Sequence, residues 1–259
     1  MKPSLAAIIL TLNEGLNLEK CLDSITGLAS EIFIVDSYST DKTLEIAKKY
    51  GTKIVQHQFK NQAEQFNWAL DNLEIESDWI LKLDADEEIL PGLKEEILKT
   101  LPQVNAETTG FYMKRRVYFM NKWIKHGGYY PVWFLRLWRN GKGRSEERKM
   151  DEHIILSEGR SEQFKNDFID DNKKDLKSWI QKHKNYASRE AEEIRAGKYG
   201  AGGKRNFYYR IPPFLRVFFY FIYRYFFKLG FLDGIPGLIF HFLHGFWYRF
   251  LVDAKVYKK

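Results

Sequence analysis

The chain has 259 residues, of which 44% are hydrophobic, so it is long enough for one sizeable core and is not a disordered chain. Its single cysteine, Cys21, excludes a disulfide framework and a cysteine metal site. The net charge is +7, but residues 207–259 contain eight Lys and Arg against two Asp and so carry +6 of it. Because this excess lies in a segment rich in phenylalanine, we predict no nucleic-acid partner.

Short apolar runs alternate with segments of helical apolar spacing along the first 100 residues. Strands are predicted at 5–10, 31–36, 52–56 and 79–83, each followed by a helix of about ten residues. This alternation predicts an α/β fold, with a mostly parallel sheet and helices on both faces. The apolar run at the N-terminus is too short for a signal peptide, so we expect synthesis in the cytosol.

The fourth strand ends in a cluster of acids, in the sequence DWILKLDADEE at 78–88. Ligands of open α/β sheets bind at the carboxyl ends of strands, and hard oxygen ligands there suit Mg²⁺ or Mn²⁺ carrying a diphosphate. A solvated acidic turn before the helix that Pro91 opens is the alternative interpretation.

After residue 101 the pattern changes to β-rich stretches at 110–119 and 132–139. Between them, residues 123–133 are dense in aromatics and glycines, which favours an acceptor-binding wall for sugar rings or, alternatively, a structural loop. The sequence MDEHII at 150–155 then brings two carboxylates and a histidine together. A long helix is predicted from Asp175, with His183 as a packed side chain.

The C-terminal segment is unusual, because 19 of the 42 aromatic residues fall between 207 and 250 and are mixed with Arg and Lys. Its longest charge-free run, 234–248, is too short to span a bilayer as one helix. Aromatics on one helix face and cations on the other predict a tail lying on an anionic membrane surface. We therefore predict domains at 1–206 and 207–259. The alternative is that the tail packs as a helical hairpin against the catalytic domain, or against a second subunit to give a homo-oligomer.

Four motifs resemble family 2 glycosyltransferases with the GT-A fold: ILTLNE, IVDSYSTDKT, LKLDADE and MDEHI, in that order over the first 155 residues. The resemblance is greatest to the bacterial branch that builds lipopolysaccharide core and other surface glycans. It implies a GT-A, Rossmann-like sheet for residues 1–206, whereas the C-terminal helical, membrane-associating appendage is predicted from its own composition. The segment after 206 lies outside the resemblance.

The resemblance also implies roles for individual residues. The residues implied to bind the nucleotide are Thr11, Asn13, Glu14, Asp36 and, more loosely, Gln65 and Asn67. Asp84 is implied to lie near ribose and metal, and Asp86 to bind the metal, with His153 as a third metal ligand. Glu152 is implied to be the catalytic base, with Asp151 as the alternative. Ser37 stands where the family usually has a second acid, and Asp41 resembles a helix cap.

The implied activity is an inverting transfer of one sugar from a nucleotide-diphosphate sugar, UDP-linked by expectation, to a lipid-linked or lipopolysaccharide glycan acceptor. The short N-terminal apolar run and the C-terminal segment together predict a cytoplasmic location, peripheral on the inner face of the cell membrane. Single transfer is favoured because the Q-x-x-R-W signature of processive members is missing. A nucleotidyltransferase is one alternative, although TLNEGLN lacks the basic glycine-rich loop of that class. A catalytically inactive membrane adaptor is the other.

Overall fold

The computed structural model describes residues 3–147, 152–197 and 208–258, which form two compact units. The first contains Met1–Arg116 and Val132–Lys173, and the second contains Val117–Pro131 and Lys174–Lys259. The domain boundary predicted at 206 lies outside the described residues. The structure groups the 117–131 segment with the C-terminal residues, which sequence pattern alone did not suggest.

The first unit has these elements in chain order: β1 (Leu5–Thr11), α1 (Leu18–Ile25), β2 (Glu31–Asp36), α2 (Thr43–Lys49), β3 (Lys53–Gln56), α3 (Gln62–Asn72), β4 (Trp79–Asp84), β5 (Glu87–Ile89), α4 (Pro91–Thr100), β6 (Thr108–Phe119, continuing into the second unit), β8 (Trp133–Arg139), β9 (Gly143–Ser145), β10 (Ile154–Leu156) and β11 (Arg160–Asp170). The strands predicted in the first 100 residues agree with these bounds to within about one residue at most ends. Strand identity was predictable because each run is apolar, short and bounded by polar loops.

The main sheet has the order β3-β2-β1-β4-β8-β6-β11-β5. The first four strands are parallel, since β1 pairs with both β2 and β4 and β2 pairs with β3. Antiparallel strands extend the sheet through β8, which pairs with β4, and β6, which pairs with β8. The predicted α/β fold is confirmed, and the β-rich stretches after residue 101 are the antiparallel extension.

Helices cover both faces of the parallel strands, as predicted. One face packs against α1 and α4, with Cys21 fully buried among apolar neighbours as core filling. The other face packs against α3 through Phe66 and Ala69. Because β4 is buried on both faces, its polar groups are placed by the sheet and not by mobile loops.

The second unit is mostly helical. Its elements are β7 (Lys122–Ile124), which pairs with the last residues of β6, followed by α5 (Leu176–Arg195), α6 (Leu215–Ile222), α7 (Gly234–Phe240) and α8 (Tyr248–Tyr257), with π-helical turns at Tyr223–Phe227 and His241–Trp247 and a 3₁₀ turn at Gly230–Asp233. Asp175 caps α5 by accepting a hydrogen bond from the Ser178 N–H at 2.8 Å. His183 stacks on Trp179 at 3.5 Å, and burial lowers its pKa to about 4, which confirms its packed role.

In the described part of the chain, no helix by itself has the length and apolar character needed to cross a membrane. Two consecutive segments, Leu215–Phe227 and Gly230–Tyr257, meet those criteria only when taken together, and they are bent by 68° where they join.

Candidate active site

The acids at the end of β4 are held in place by amide and guanidinium donors. Asp84, the last residue of β4, accepts hydrogen bonds from Gln62 Nε2 at 3.0 Å and from Arg136 Nη2 at 3.3 Å. Asp86 accepts one from Asn172 Nδ2 at 2.8 Å. Both side chains are partly exposed at the carboxyl edge of the parallel strands, where the sequence predicted them.

A buried ion pair lies directly beneath these acids. Arg136, on β8, donates to the carboxylate of Glu87, and both side chains are almost inaccessible to solvent. Glu87 also accepts the Asp84 backbone N–H at 2.9 Å. Burial raises the pKa of Glu87, and the positive charge of Arg136 opposes this rise. The pair fixes both the backbone and the carboxylate of Asp84, so the strand end is preorganised.

The donor set at the strand end fits a hard divalent cation that arrives with a diphosphate. Within the described ranges, three or more His, Cys, Asp and Glu side chains are nowhere grouped so as to hold a metal by themselves. Mg²⁺, however, is usually held by one or two carboxylates together with waters and substrate phosphates, and Mn²⁺ shares its preference for oxygen. Asp84 and Asp86 supply two such carboxylates.

His153, the predicted third metal ligand, points to another acid. Its Nδ1 lies 3.6 Å from Glu146 Oε2, and its side chain is largely exposed. The structure does not bring it together with Asp86 in any described contact, so its metal role stays a prediction. Asp151, the alternative base, lies outside the described residues.

Glu152 is mostly buried and faces a buried lysine. Its side chain is 15% exposed, and its Oε1 lies 4.0 Å from Lys82 Nζ. Lys82, on β4, is 5% exposed and stands over the ring of Phe66 at 5.0 Å. Both groups line a cleft with the aromatic side chains of Tyr112 and Trp133.

The protonation of Glu152 is set by two opposing effects. Burial raises the pKa of its carboxyl, whereas the Lys82 ammonium lowers it, and burial dominates. Burial also lowers the pKa of Lys82. A carboxylate whose pKa lies above the ordinary range is a better proton acceptor at neutral pH, which is what the implied base requires.

The loops that follow β1 and β2 are joined by hydrogen bonds through Asp36. This carboxylate is fully buried and accepts from Thr11 Oγ1 at 3.0 Å, from the Ser39 N–H at 2.9 Å and from Gln56 Nε2 at 3.2 Å. Asp36 therefore fixes the shape of this edge, and direct contact with a nucleotide stays a prediction for it and for Thr11.

Asn13 and Glu14 complete the junction of these loops. The Asn13 side chain, at a backbone φ of 54°, accepts the Thr40 N–H at 2.8 Å, and the Glu14 N–H donates to Thr43 Oγ1 at 2.8 Å. Asp41 accepts the Thr43 N–H at 3.0 Å at the start of α2, in agreement with its predicted cap-like role. The structure thus brings Thr11, Asn13, Glu14 and Asp36 together at one edge of the sheet.

Gln65 and Asn67 lie on α3 but make different contacts. Gln65 is fully buried. Its side-chain amide forms hydrogen bonds with His57 Nδ1 at 2.7 Å and with Ser37 Oγ at 3.2 Å, next to the loop after β2. Asn67 instead exchanges two hydrogen bonds of 2.9 Å with the backbone of Ser145 on β9. Only Gln65 therefore contacts the loop implied to bind the nucleotide.

Lys82, Arg136, Gln62 and Asn172 were not singled out from the sequence. A signal existed for two of them, because Lys82 and Arg136 are single cations inside apolar strands, in WILKLD and WFLRLW. A cation at such a position is rarely buried without an acid beside it. Gln62 and Asn172 carry no such signal, since their contacts depend on the fold.

The model of the family described as glycosyl transferase family 2 matches residues 6–158. The lipopolysaccharide core biosynthesis glycosyltransferase LpsC of Rhizobium meliloti is 29% identical over 272 aligned positions, covering 100% of this chain and 93% of that protein. An uncharacterized glycosyltransferase of Rickettsia bellii is 39% identical over 93 residues, and the match spans 36% of this chain and only 31% of that protein.

Two solved structures are more distant. TarS of S. aureus, residues 1–349 in complex with UDP, is 21% identical with a TM-score of 0.39, covering 44% of this chain and 36% of that one. Glucosyl-3-phosphoglycerate synthase from Mycobacterium tuberculosis, in complex with Mn²⁺, UDP and glucosyl-3-phosphoglycerate, is 20% identical with a TM-score of 0.35, covering 45% of this chain and 44% of that one. Similarity at this level carries no argument about the site.

Proposed function

The chain belongs to glycosyl transferase family 2, and on this premise we propose that it moves one sugar from a UDP-linked donor to a hydroxyl of a lipid-linked or lipopolysaccharide-type glycan. The single observation that supports this most directly is Glu152, a mostly buried carboxylate of raised pKa that faces Lys82 in an aromatic-lined cleft. An acid in this setting suits proton abstraction from a sugar hydroxyl.

On the donor side, the strand-end carboxylates hold the diphosphate through a divalent cation. Asp84 and Asp86 are the ligands in this proposal, and Gln62, Arg136 and Asn172 orient their oxygens. When bound, Mg²⁺ or Mn²⁺ supplies Lewis-acid stabilisation of the negative charge on the departing diphosphate. The loops joined by Asp36 form the nucleotide-binding edge.

On the acceptor side, Glu152 takes the proton of the attacking hydroxyl. The hydroxyl oxygen forms a bond to the anomeric carbon while the bond from that carbon to the β-phosphate oxygen breaks. The electron pair of the broken bond goes to the nucleoside diphosphate, and the proton goes to Glu152. Attack from the face opposite the leaving group inverts the anomeric centre, so no protein nucleophile is required.

The membrane is part of the proposal. LpsC, whose name refers to lipopolysaccharide core biosynthesis, aligns along the whole chain. Between 208 and 258 the sequence combines aromatics with a surplus of Arg and Lys, a composition typical of attachment to anionic lipid surfaces. We place the enzyme at the inner face of the cell membrane, where a lipid-linked acceptor presents its sugar.

The test is incubation of the full chain with a panel of nucleotide sugars and Mn²⁺ or Mg²⁺. Release of nucleoside diphosphate that depends on the metal and disappears in Asp86→Asn supports the proposal. Release of inorganic diphosphate from a nucleoside triphosphate and a sugar 1-phosphate, with no turnover of the nucleotide sugars, would instead indicate a nucleotidyltransferase. Retention of full activity by Asp86→Asn would overturn the metal assignment, and absence of turnover with every donor, with and without glycan acceptors, would favour an inactive adaptor.

A further inference from the structure

Residues 122–131 (loop 122–131) include most of the 123–133 stretch that the sequence predicts as an acceptor-binding wall, and within the second unit they are anchored to the C-terminal helices. Asp233 is 2% exposed and accepts three hydrogen bonds from this loop. The donors are the Lys125 N–H at 3.3 Å, the His126 N–H at 3.0 Å and His126 Nδ1 at 2.6 Å. Loop 122–131 is therefore tied to the turn that contains Asp233.

Close packing strengthens this anchor. The Gly127 N–H donates to the Lys228 carbonyl at 2.8 Å. The His241 ring fills the space against Gly127 and Gly230, where an added Cβ would lie only 2.0 Å and 2.7 Å from ring atoms. Tyr129 Oη lies 2.6 Å from His244 Nδ1. Loop 122–131 and the C-terminal helices are thus closely packed, and a larger residue at position 127 or 230 would clash with the His241 ring.

The helical segments on either side of the turn Gly230–Asp233 expose many large apolar side chains. Those at least 44% exposed between residues 215 and 242 are Leu215, Phe218, Phe219, Tyr223, Phe226, Phe227, Leu229, Phe231, Leu232, Ile235, Leu238 and Phe242. Their spacing of three and four residues places most of them along one face of each helix. Phe227 and Ile235, on either side of the bend, are the most exposed of them, at 74% and 75%.

The charge on this surface has one sign. Both acids between 208 and 258 are buried, since Asp233 binds the loop and Asp253 pairs with the buried guanidinium of Arg216. The described residues 208–258 thus expose no carboxylate, whereas Arg210 and Lys228 are exposed. Within residues 208–258 the exposed charges beside the apolar face are thus cations, which makes this segment complementary to an anionic bilayer.

We propose that residues 226–238, which include the bend, enter the headgroup layer of an anionic bilayer and carry loop 122–131 with them through Asp233. This inference rests on the proposed function and specifies which residues of the second unit meet the membrane.

The surface is tested with the full-length chain and vesicles of phosphatidylcholine with or without phosphatidylglycerol. We expect sedimentation with the anionic vesicles only, and about tenfold or greater weakening in Phe227→Glu/Ile235→Glu, since these side chains lose their burial in lipid. Leu16→Glu, a matched change at an exposed leucine of the first unit, leaves binding unchanged. A double variant that binds vesicles normally but changes in molar mass would overturn the proposal in favour of a second copy of this chain.

The coupling is tested by amide hydrogen exchange on the same vesicles. In the wild type we expect slower exchange in both 226–238 and 122–131; in Asp233→Asn the bend remains protected while protection of the loop is lost. His126→Ala, which removes one hydrogen bond at a partly exposed side chain, gives the same direction if Asp233→Asn fails to fold. An unchanged loop in vesicle-bound wild type contradicts the coupling. Neither measurement requires sugar transfer, so a failure of the proposed enzymatic activity is detected separately, by the donor panel.

Discussion

The substitution Glu152→Gln removes the proposed base and changes little else, since the two side chains have the same shape. Loss of a positioned general base costs about 10² to 10⁴ in rate, which corresponds to about 2.7 to 5.4 kcal/mol in the activation free energy. We therefore expect kcat to fall by at least about 10² while the donor KM stays nearly constant, because the donor is held at the strand end by other residues.

The pH dependence follows from the surroundings of Glu152. Its attraction to Lys82 at 4.0 Å is worth about 4 kcal/mol at an effective dielectric constant of 20. The pKa of Glu152 is nevertheless raised, because burial outweighs this attraction. The base works only when ionised, so wild-type activity rises with pH through a pKa above the ordinary value of a glutamate, about 4.3.

The assay is the initial rate of nucleoside diphosphate release in the presence of acceptor, measured from pH 4 to 8. In the wild type, the rise of the rate with pH at the acidic end of the profile is the acidic limb. The Gln variant has a low residual rate without this limb, whereas Glu152→Asp, which keeps a carboxylate, retains it. A melting temperature within about 3 °C of wild type, about 1 kcal/mol for a chain of this size, shows that the fold is intact. Wild-type rates in Glu152→Gln would refute the assignment, and a loss confined to Asp151→Asn would move the base by one residue.

Three further outcomes are expected. Asp86→Ala abolishes transfer and the thermal stabilisation by Mn²⁺ with UDP, yet unfolds at nearly the wild-type temperature; stabilisation equal to wild type would contradict its role as a ligand. Lys82→Met moves the acidic limb of the rate profile to higher pH, because the ammonium lowers the pKa of Glu152, and Lys82→Arg moves it back; an unshifted limb in the Met variant would show that the ammonium does not act on the base. Asp253→Ala leaves the Arg216 guanidinium buried without its acid and lowers the stability by about 3 kcal/mol, seen as a fall in melting temperature of about 10 °C; a change under about 3 °C would mean that water reaches the guanidinium.

Local patterns predicted much of the first unit. The strands at 31–36 and 79–83 could be predicted because a buried parallel strand is a short apolar run. Asp84 follows the second of these runs directly, so its position at the carboxyl edge of the sheet was predictable as well. Asp86 and Glu152 were placed by motif resemblance, not by periodicity.

The remaining features depend on long-range contacts that a linear pattern does not contain. Arg136 reaches Glu87 only because β8 inserts antiparallel beside β4. The hydrogen bonds of the Asn67 amide with the Ser145 backbone depend on the position of α3 opposite β9, so the sequence around Asn67 does not indicate them. The anchoring of loop 122–131 by Asp233 spans more than 100 residues and has no local signature.

The second unit is assembled from two separate stretches of chain, 117–131 and 174–259. Exchange of this unit between relatives therefore requires both stretches to be transplanted as a set, because a chimera that swaps only the C-terminal stretch pairs a foreign Asp233 equivalent with the resident loop. A truncation before residue 208 has the same defect, since it removes every partner of His126 described above while leaving that loop in the chain. Boundaries for exchange belong at 116/117, 131/132 and 173/174.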